Sequence, residues 1–218
     1  MDLKALINID FQPLTLSERI ANACSIFEQS TLSHIPVIEN NVLVGNLSED
    51  DCKTIEKVDV LAEYQYLLDP FFVRENTGWL NVLEAFAKNE SNMMPIINKD
   101  NSYIGYYELT DILNIFNDTP FLNEPGSILV IEKNSKDQSF SEIVQIVESH
   151  NGKMLGAFIS EIKGDRTETT LKIANAGINE ILQTFRRYNY EIINGIDQDS
   201  YVKELKERSA YLNKYLNI

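Results

Sequence analysis

Apolar residues recur at helical spacing in two stretches that lie 59 residues apart. Ile20, Ala23, Cys24 and Phe27 make one stripe, and Trp79, Val82, Leu83 and Phe86 make the other. Residues three and four apart share a helix face, so each set predicts an amphipathic helix. Ser17 and Asn76 stand just ahead of these stripes and suit N-caps, because a short side-chain oxygen accepts from the unpaired N–H groups of a first turn. Each helix is followed by an apolar run through a proline, Ile35-Pro36-Val37-Ile38 and Met94-Pro95-Ile96-Ile97. The polar turns Glu39-Asn40-Asn41 and Asn98-Lys99-Asp100-Asn101 come next. Second strands are expected at Val42-Leu43-Val44 and Ser102-Tyr103-Ile104, with closing helices from Ser48 and from near Leu109.

The two stretches form an internal repeat. The prolines are 59 apart, while Val44-Gly45 and Ile104-Gly105, like Asp51 and Asp111, are 60 apart. The extra residue falls in the polar turn, where insertion costs little. One such unit cannot cover both faces of its short sheet, so the two are expected to pack on each other as a pseudo-two-fold pair of β-α-β-β-α repeats.

Beyond the turn-forming clusters Asn117-Asp118-Thr119-Pro120 and Asn123-Glu124-Pro125-Gly126 the pattern changes. Ser127–Glu132 reads as a strand, and Phe140–His150 as an amphipathic helix stopped by Asn151-Gly152. Met154–Ile162 and Glu168–Ala174 read as strands joined by the turn Lys163-Gly164-Asp165-Arg166. Ile178–Tyr188 is a second helix and Tyr190–Ile193 a last strand. The order β-α-β-β-α-β is the ferredoxin-like arrangement. The expected class is therefore α+β, with a repeat pair over residues 1–120 (repeats about 1–60 and 61–120). A ferredoxin-like domain follows over 125–196, and a terminal helix carrying Val202, Leu205, Leu212 and Leu216 over 197–218.

Composition narrows the function. The net charge is −14, and residues 1–120 hold 7 Lys and Arg against 19 Asp and Glu. So acidic a surface repels phosphate backbones and anionic lipid heads, which argues against nucleic acid and membrane as partners. No apolar run reaches the roughly 20 residues that span a bilayer, and the N-terminus has no secretory pattern, so a cytoplasmic setting is expected. Cys24 and Cys52 show no metal-ligand spacing and read as two buried thiols in a reducing compartment. His34 and His150 are the only histidines; they are too few for a metal site or a nucleophile relay, and no phosphate-binding or nucleophile motif is present. An enzyme is not expected.

Each repeat resembles a cystathionine β-synthase-type (CBS) domain, whose signature is a helix, h-P-V-h, a polar turn and h-x-G-h-h-[ST]-x-x-D-h. The first copy carries Ile35-Pro36-Val37-Ile38 and Val44-Gly45-Asn46-Leu47-Ser48-Glu49-Asp50-Asp51. The second carries Met94-Pro95-Ile96-Ile97 and Ile104-Gly105-Tyr106-Tyr107-Glu108-Leu109-Thr110-Asp111. The resemblance implies a regulatory module that holds an adenosine compound, AMP, ADP, ATP or S-adenosylmethionine, between the repeats and modulates an unidentified protein partner. By motif the ligand residues are Ser48 and Asp51 in the first copy and Asp111 in the second, the Asp accepting from ribose hydroxyls. The second copy departs from the signature in having Glu108 for Ser or Thr, with Thr110 out of register. Arg74 is the nearest basic candidate for a phosphate. The alternative is that Ser48 and Asp51 only cap a helix, in a ligand-free module serving assembly. A ferredoxin-like domain after such a pair resembles the bacterial acetoin-utilisation type of protein, in which an ACT-like domain follows. That implies a homodimer. The first strand–helix loop, Lys133–Asp137, lacks the glycine that would bring backbone close to an amino acid.

Overall fold

In the computed structural model, which describes residues 3–174 and 177–194, the chain divides between Phe116 and Asn117 into two units. The predicted terminal helix over 197–218 lies outside the described residues.

The first unit repeats one plan twice. Strand β1 (Leu14–Thr15), helix α1 (Ile20–Gln29), strands β2 (His34–Glu39) and β3 (Val42–Ser48) and helix α2 (Glu49–Thr54) make the first copy. Strand β4 (Val73–Arg74), helix α3 (Trp79–Lys88), strands β5 (Met93–Ile97) and β6 (Tyr103–Glu108) and helix α4 (Leu109–Asn117) make the second. Each copy has a three-stranded sheet, β1-β2-β3 or β4-β5-β6, with the short strand parallel and the hairpin antiparallel. Leu14 pairs with Val37 and Val73 with Ile96, so the registers match. The β2–β3 turn is two residues, Asn40 and Asn41, with φ of 50° and 65°. Left-handed backbone at both positions is what a tight hairpin requires, and asparagine tolerates it.

Two expectations fail at the helix starts. The helix α1 begins after Arg19 and α3 after Gly78, neither with a side-chain cap. Ser17 instead contacts the Thr15 hydroxyl at 3.0 Å. The first N–H groups of α1 find backbone carbonyls, Ile20 donating to Asp59 and Ala21 to Lys57. A chain segment arriving from beyond α2 thus does the work of a cap. Both second strands also run longer than expected, to Ser48 and Glu108, because they pair along the whole of β2 and β5.

The cores interlock through the chain ahead of each short strand. The first core joins Leu14, Ile20, Phe27, Ile35, Val37 and Leu47 with Ile55, Leu61 and Leu68. The second joins Val73, Val82, Phe86, Met94, Ile96, Tyr107 and Ile112 with Leu3, and Leu6 and Ile7 pack against it. Residues 3–7 therefore help to complete the second repeat, and residues 55–68 the first.

The second unit begins with a single helical turn, α5 (Pro120–Asn123), where the sequence pattern suggests only turns; Pro120 occupies the first helical position, where its missing N–H costs nothing. Strand β7 (Ser127–Asn134), helix α6 (Phe140–Ser149), strands β8 (Lys153–Lys163) and β9 (Arg166–Ala174), helix α7 (Ile178–Arg187) and strand β10 (Glu191–Asn194) follow. The sheet is antiparallel in the order β10-β7-β9-β8, the ferredoxin-like arrangement. Ile143, Val147, Ile181, Leu182 and Phe185 of the helices pack on Leu129, Ile131 and Leu171 of the strands. The first strand runs two residues further than expected. Lys133, only 9% exposed, pairs with Glu142 at 2.6 Å and lies 4.3 Å over the Tyr190 ring, so a charged residue sits inside the strand.

Candidate functional site

The glycine of each repeat motif exists because another stretch of backbone crosses it. A Cβ on Gly105, whose φ is 137°, would stand 2.6 Å from the Asn8 carbonyl oxygen, and one on Gly45 would stand 2.7 Å from Leu68 Cβ. Over these glycines the chain exchanges paired backbone hydrogen bonds. Asn8 and Tyr106 do so at 2.8 and 3.0 Å, and Asn46 and Asp69 at 2.9 Å each way. The buried Asn46 side chain adds donations to the Asp69 and Phe71 carbonyls at 2.9 and 2.8 Å. The crossings place Asp10 and Phe11 beside the second motif, and Asp69 and Phe71 beside the first.

A cleft of about 780 Å³ opens at the second motif. Glu108, Thr110 and Leu113 line it from β6 and α4, Asp10 and Phe11 from the crossing segment, and Glu28 to Leu32 from the end of α1. Glu108 accepts from the Asn8 side chain at 3.1 Å. None of the lining side chains is basic. The field shows at Tyr106: burial, and then the carboxylates of Glu108, Asp10 and Asp111, push its phenol above the ordinary tyrosine range. Asp111 lies half-buried in the first turn of α4 and is not itself among the lining residues.

At the first motif Ser48 and Asp51 meet. Ser48 is the N-cap of α2; its hydroxyl accepts from the Asp51 N–H at 3.0 Å and donates to the Asp51 carboxylate at 2.6 Å. A smaller opening of about 330 Å³ lies where Asp69 pairs with Asn46 of the first motif, and it is lined by Asp69, Pro70, Phe71, Lys88, Asn89 and Glu90. His34 bridges this region to the motif's strand. Its Nδ1 is 2.9 Å from the Ser33 hydroxyl, its Nε2 is 3.4 Å from Asp69, and its ring meets Phe71 edge-on at 5.1 Å. Burial lowers its pKa, and Asp69 opposes that shift only in part.

The structure brings Ser48 and Asp51 together and puts Asp111 in the other repeat, so the three do not form one site; none of them is among the residues that line the two openings. Arg74 is not poised for a phosphate at either motif. Its guanidinium donates to the Asn98 carbonyl at 3.3 Å and to the Asn101 side chain at 3.2 Å, on the turn between β5 and β6. Asp10, Phe11 and Glu28 escaped the sequence reading. The usable signal was an Asp followed by Phe ahead of each short strand, Asp10-Phe11 and Asp69-Pro70-Phe71. Among the described residues no group of three or more His, Cys, Asp and Glu side chains could hold a metal ion. No described helix is long and apolar enough to cross a membrane.

Two repeats related by pseudo-symmetry, each completed by the segment that crosses its own motif glycine and leads into the other's short strand, define a paired-repeat module. Residues 4–55 and 65–118 each match the CBS domain, so the first unit is a tandem pair of CBS domains. Over 97 residues the chain is 28% identical to inosine-5'-monophosphate dehydrogenase of Methanocaldococcus jannaschii, covering 44% of this chain and 20% of that protein. The chain thus spans about a fifth of that relative's length. Among solved structures it is similar to a CBS domain pair/ACT domain protein from Thermotoga maritima, at 17% identity and a TM-score of 0.48, over 53% of this chain and 96% of that one. It is also similar to the CBS domains of a transcriptional regulator from Streptococcus pneumoniae, at 16% identity and a TM-score of 0.47, over 52% and 98% of the two chains. A third is CBSX2 in complex with AMP, at 18% identity and a TM-score of 0.43, over 51% and 93%.

Proposed function

We propose that the protein is a cytoplasmic regulatory module that senses an adenosine compound between its CBS repeats, and that it favours an occupant without net negative charge. The supporting observation is the cleft of about 780 Å³ beside the second motif, lined by Asp10, Glu28 and Glu108 with no basic side chain. Small-molecule sites run from roughly 300 to 1,000 Å³, so a nucleoside fits by size. A triphosphate brought against three carboxylates meets like charge, whereas a sulfonium or ammonium group meets opposite charge. Adenosine and S-adenosylmethionine are therefore preferred over ATP. Asp51 at the first motif and Asp111 at the second are the proposed ribose acceptors. The ACT-like second unit is read as the assembling element of a homodimer, by its resemblance alone.

Calorimetric titration with S-adenosylmethionine, adenosine, AMP, ADP and ATP tests this. The expected order of affinity falls as phosphates are added. ATP as the tightest ligand would overturn the charge preference while leaving the sensor reading intact. A second reading, a ligand-free assembly module, is favoured by the way Ser48 and Asp51 satisfy each other. Binding of none of the five at millimolar concentration would establish it.

A further inference from the structure

Cys24 and Cys52 lie 28 residues apart in sequence, and their sulfurs meet at 2.7 Å between α1 and α2. The Cys24 thiol also reaches the Cys52 carbonyl oxygen at 3.5 Å. Closure to a bonded distance of about 2.05 Å needs a sulfur displacement of only about 0.7 Å, within the reach of side-chain rotation. The pair is also approachable. An opening of about 210 Å³ is floored by the two thiols and Phe27 and rimmed by Glu28, Glu49, Lys53 and Lys57. That is room for a molecule of peroxide size.

We propose that Cys24 and Cys52 form a dithiol switch that hydrogen peroxide closes to a disulfide inside the first repeat and that a thiol reductant reopens. The Cys24 thiolate attacks one peroxide oxygen, giving a sulfenic acid and water once the leaving hydroxide is protonated. The Cys52 sulfur then attacks the sulfenic sulfur, losing its proton and expelling the hydroxyl as a second water. Two thiols give up two hydrogens, and peroxide is reduced to two waters. The order of attack follows from position. Cys24 is 8% exposed and Cys52 2%, and burial with the Cys24 hydrogen bond pushes the Cys52 thiol up to about 12. Cys24 therefore reacts first and Cys52 resolves. The bond would tie α1, whose end lines the larger cleft, to α2, which carries Asp51 one residue ahead of Cys52.

The test is to reduce the full chain, remove the reductant, treat with peroxide, and follow intact mass, thiol count and a non-reducing peptide map. The expected result is loss of both thiols and of two hydrogen masses, a crosslink between the Cys24 and Cys52 peptides of one chain, and full reversal by dithiothreitol. Dimedone should trap a sulfenic acid at Cys24 in Cys52→Ser and trap none at Cys52 in Cys24→Ser. Persistence of both thiols under peroxide that consumes an exposed reference thiol would overturn the proposal. So would a crosslink between chains, or sulfinic acid accumulating at Cys24 of the unmodified sequence. Should either variant fold poorly, the peptide map of the unmodified sequence decides alone.

Discussion

Ser33 and Asn92 exchange hydrogen bonds across the pseudo-two-fold axis of the repeat pair. The Ser33 N–H donates to the Asn92 side-chain oxygen at 2.8 Å, and the Asn92 N–H donates to the Ser33 hydroxyl at 3.0 Å. The two residues occupy equivalent positions, and each carbonyl then accepts from the first N–H of a closing helix, the Glu49 N–H donating to Ser33 and the Leu109 N–H to Asn92. One pair of polar residues thus joins the repeats and anchors both helices that border the clefts. Removing one partner leaves half-buried donors without acceptors, which costs about 1–3 kcal/mol. Asn92→Ala is expected to lower stability in urea by that amount, and Ser33→Ala in the Asn92→Ala background to add less than it does alone.

Gly105 should tolerate no side chain. Alanine there would adopt a rarely populated backbone conformation and would collide with the Asn8 carbonyl 2.6 Å away. Backbone strain alone is about 1–3 kcal/mol, and the collision adds to it by displacing the crossing segment. Gly164 also has positive φ, 58°, but its Cβ would meet nothing within 4 Å. Gly164→Ala should therefore cost only about 1–2 kcal/mol. Denaturation midpoints of the two variants check the difference. Equal losses would show that the crossing segment gives way freely.

Buried His34 makes the first repeat sensitive to acid. Its folded pKa lies below the unfolded value of about 6.5, because burial disfavours the imidazolium more than Asp69 favours it. The unfolded chain therefore takes up the proton first, and stability falls as pH drops below about 6.5, levelling once the folded pKa is passed. Denaturation free energies at about pH 7.5 and pH 5.5 should show this loss in the unmodified protein and a smaller one in His34→Gln, which cannot titrate. A greater loss in His34→Gln would show that Asp69 dominates after all.

The strands and the turn between them were legible in the sequence because each signal is local. A proline-bearing apolar run, an asparagine turn and a second apolar run follow in order within each repeat. The C-terminal strands and helices were legible for the same reason. What escaped was supplied from a distance. Ser17 was the obvious cap for α1, yet the carbonyls of Lys57 and Asp59 fill that role. Lys133 reads as a loop residue until Glu142 and Tyr190 fold around it. Asp10 becomes a cleft residue because the chain crosses Gly105, and Glu28, which carries no motif, because the end of α1 lines the same cleft.

Charge at the larger cleft sets the next expectation. Glu108→Gln removes one negative charge while keeping an oxygen for the Asn8 side chain. At about 8 Å one unit charge is worth roughly 0.5–2 kcal/mol between water-like and protein-like dielectrics. AMP should bind the variant about two- to thirtyfold more tightly, and adenosine about equally, in paired titrations. A matching gain for adenosine would point to a steric cause.

Asp51 and Asp111, the proposed ribose acceptors, can be tested separately because they lie in different repeats. Losing a charge-assisted hydrogen bond to ribose costs about 1.5–3 kcal/mol, or ten- to a hundredfold in affinity. Asp51→Ala is expected to weaken ligand binding at the first motif by that factor, and Asp111→Ala at the second. A variant that loses stability but no affinity would assign its carboxylate to helix capping.

The interlocked cores also bear on the order in which this protein can be assembled as it is made. Leu3, Leu6 and Ile7 belong with the core of the second repeat, yet they are synthesised before any of the repeat they complete. Until Tyr107 and Ile112 have emerged they must wait without a partner, while the first repeat can already close on residues 55–68. A fragment holding only the second repeat would carry an unfilled apolar slot. A peptide covering residues 3–10, supplied separately, is the natural key to it.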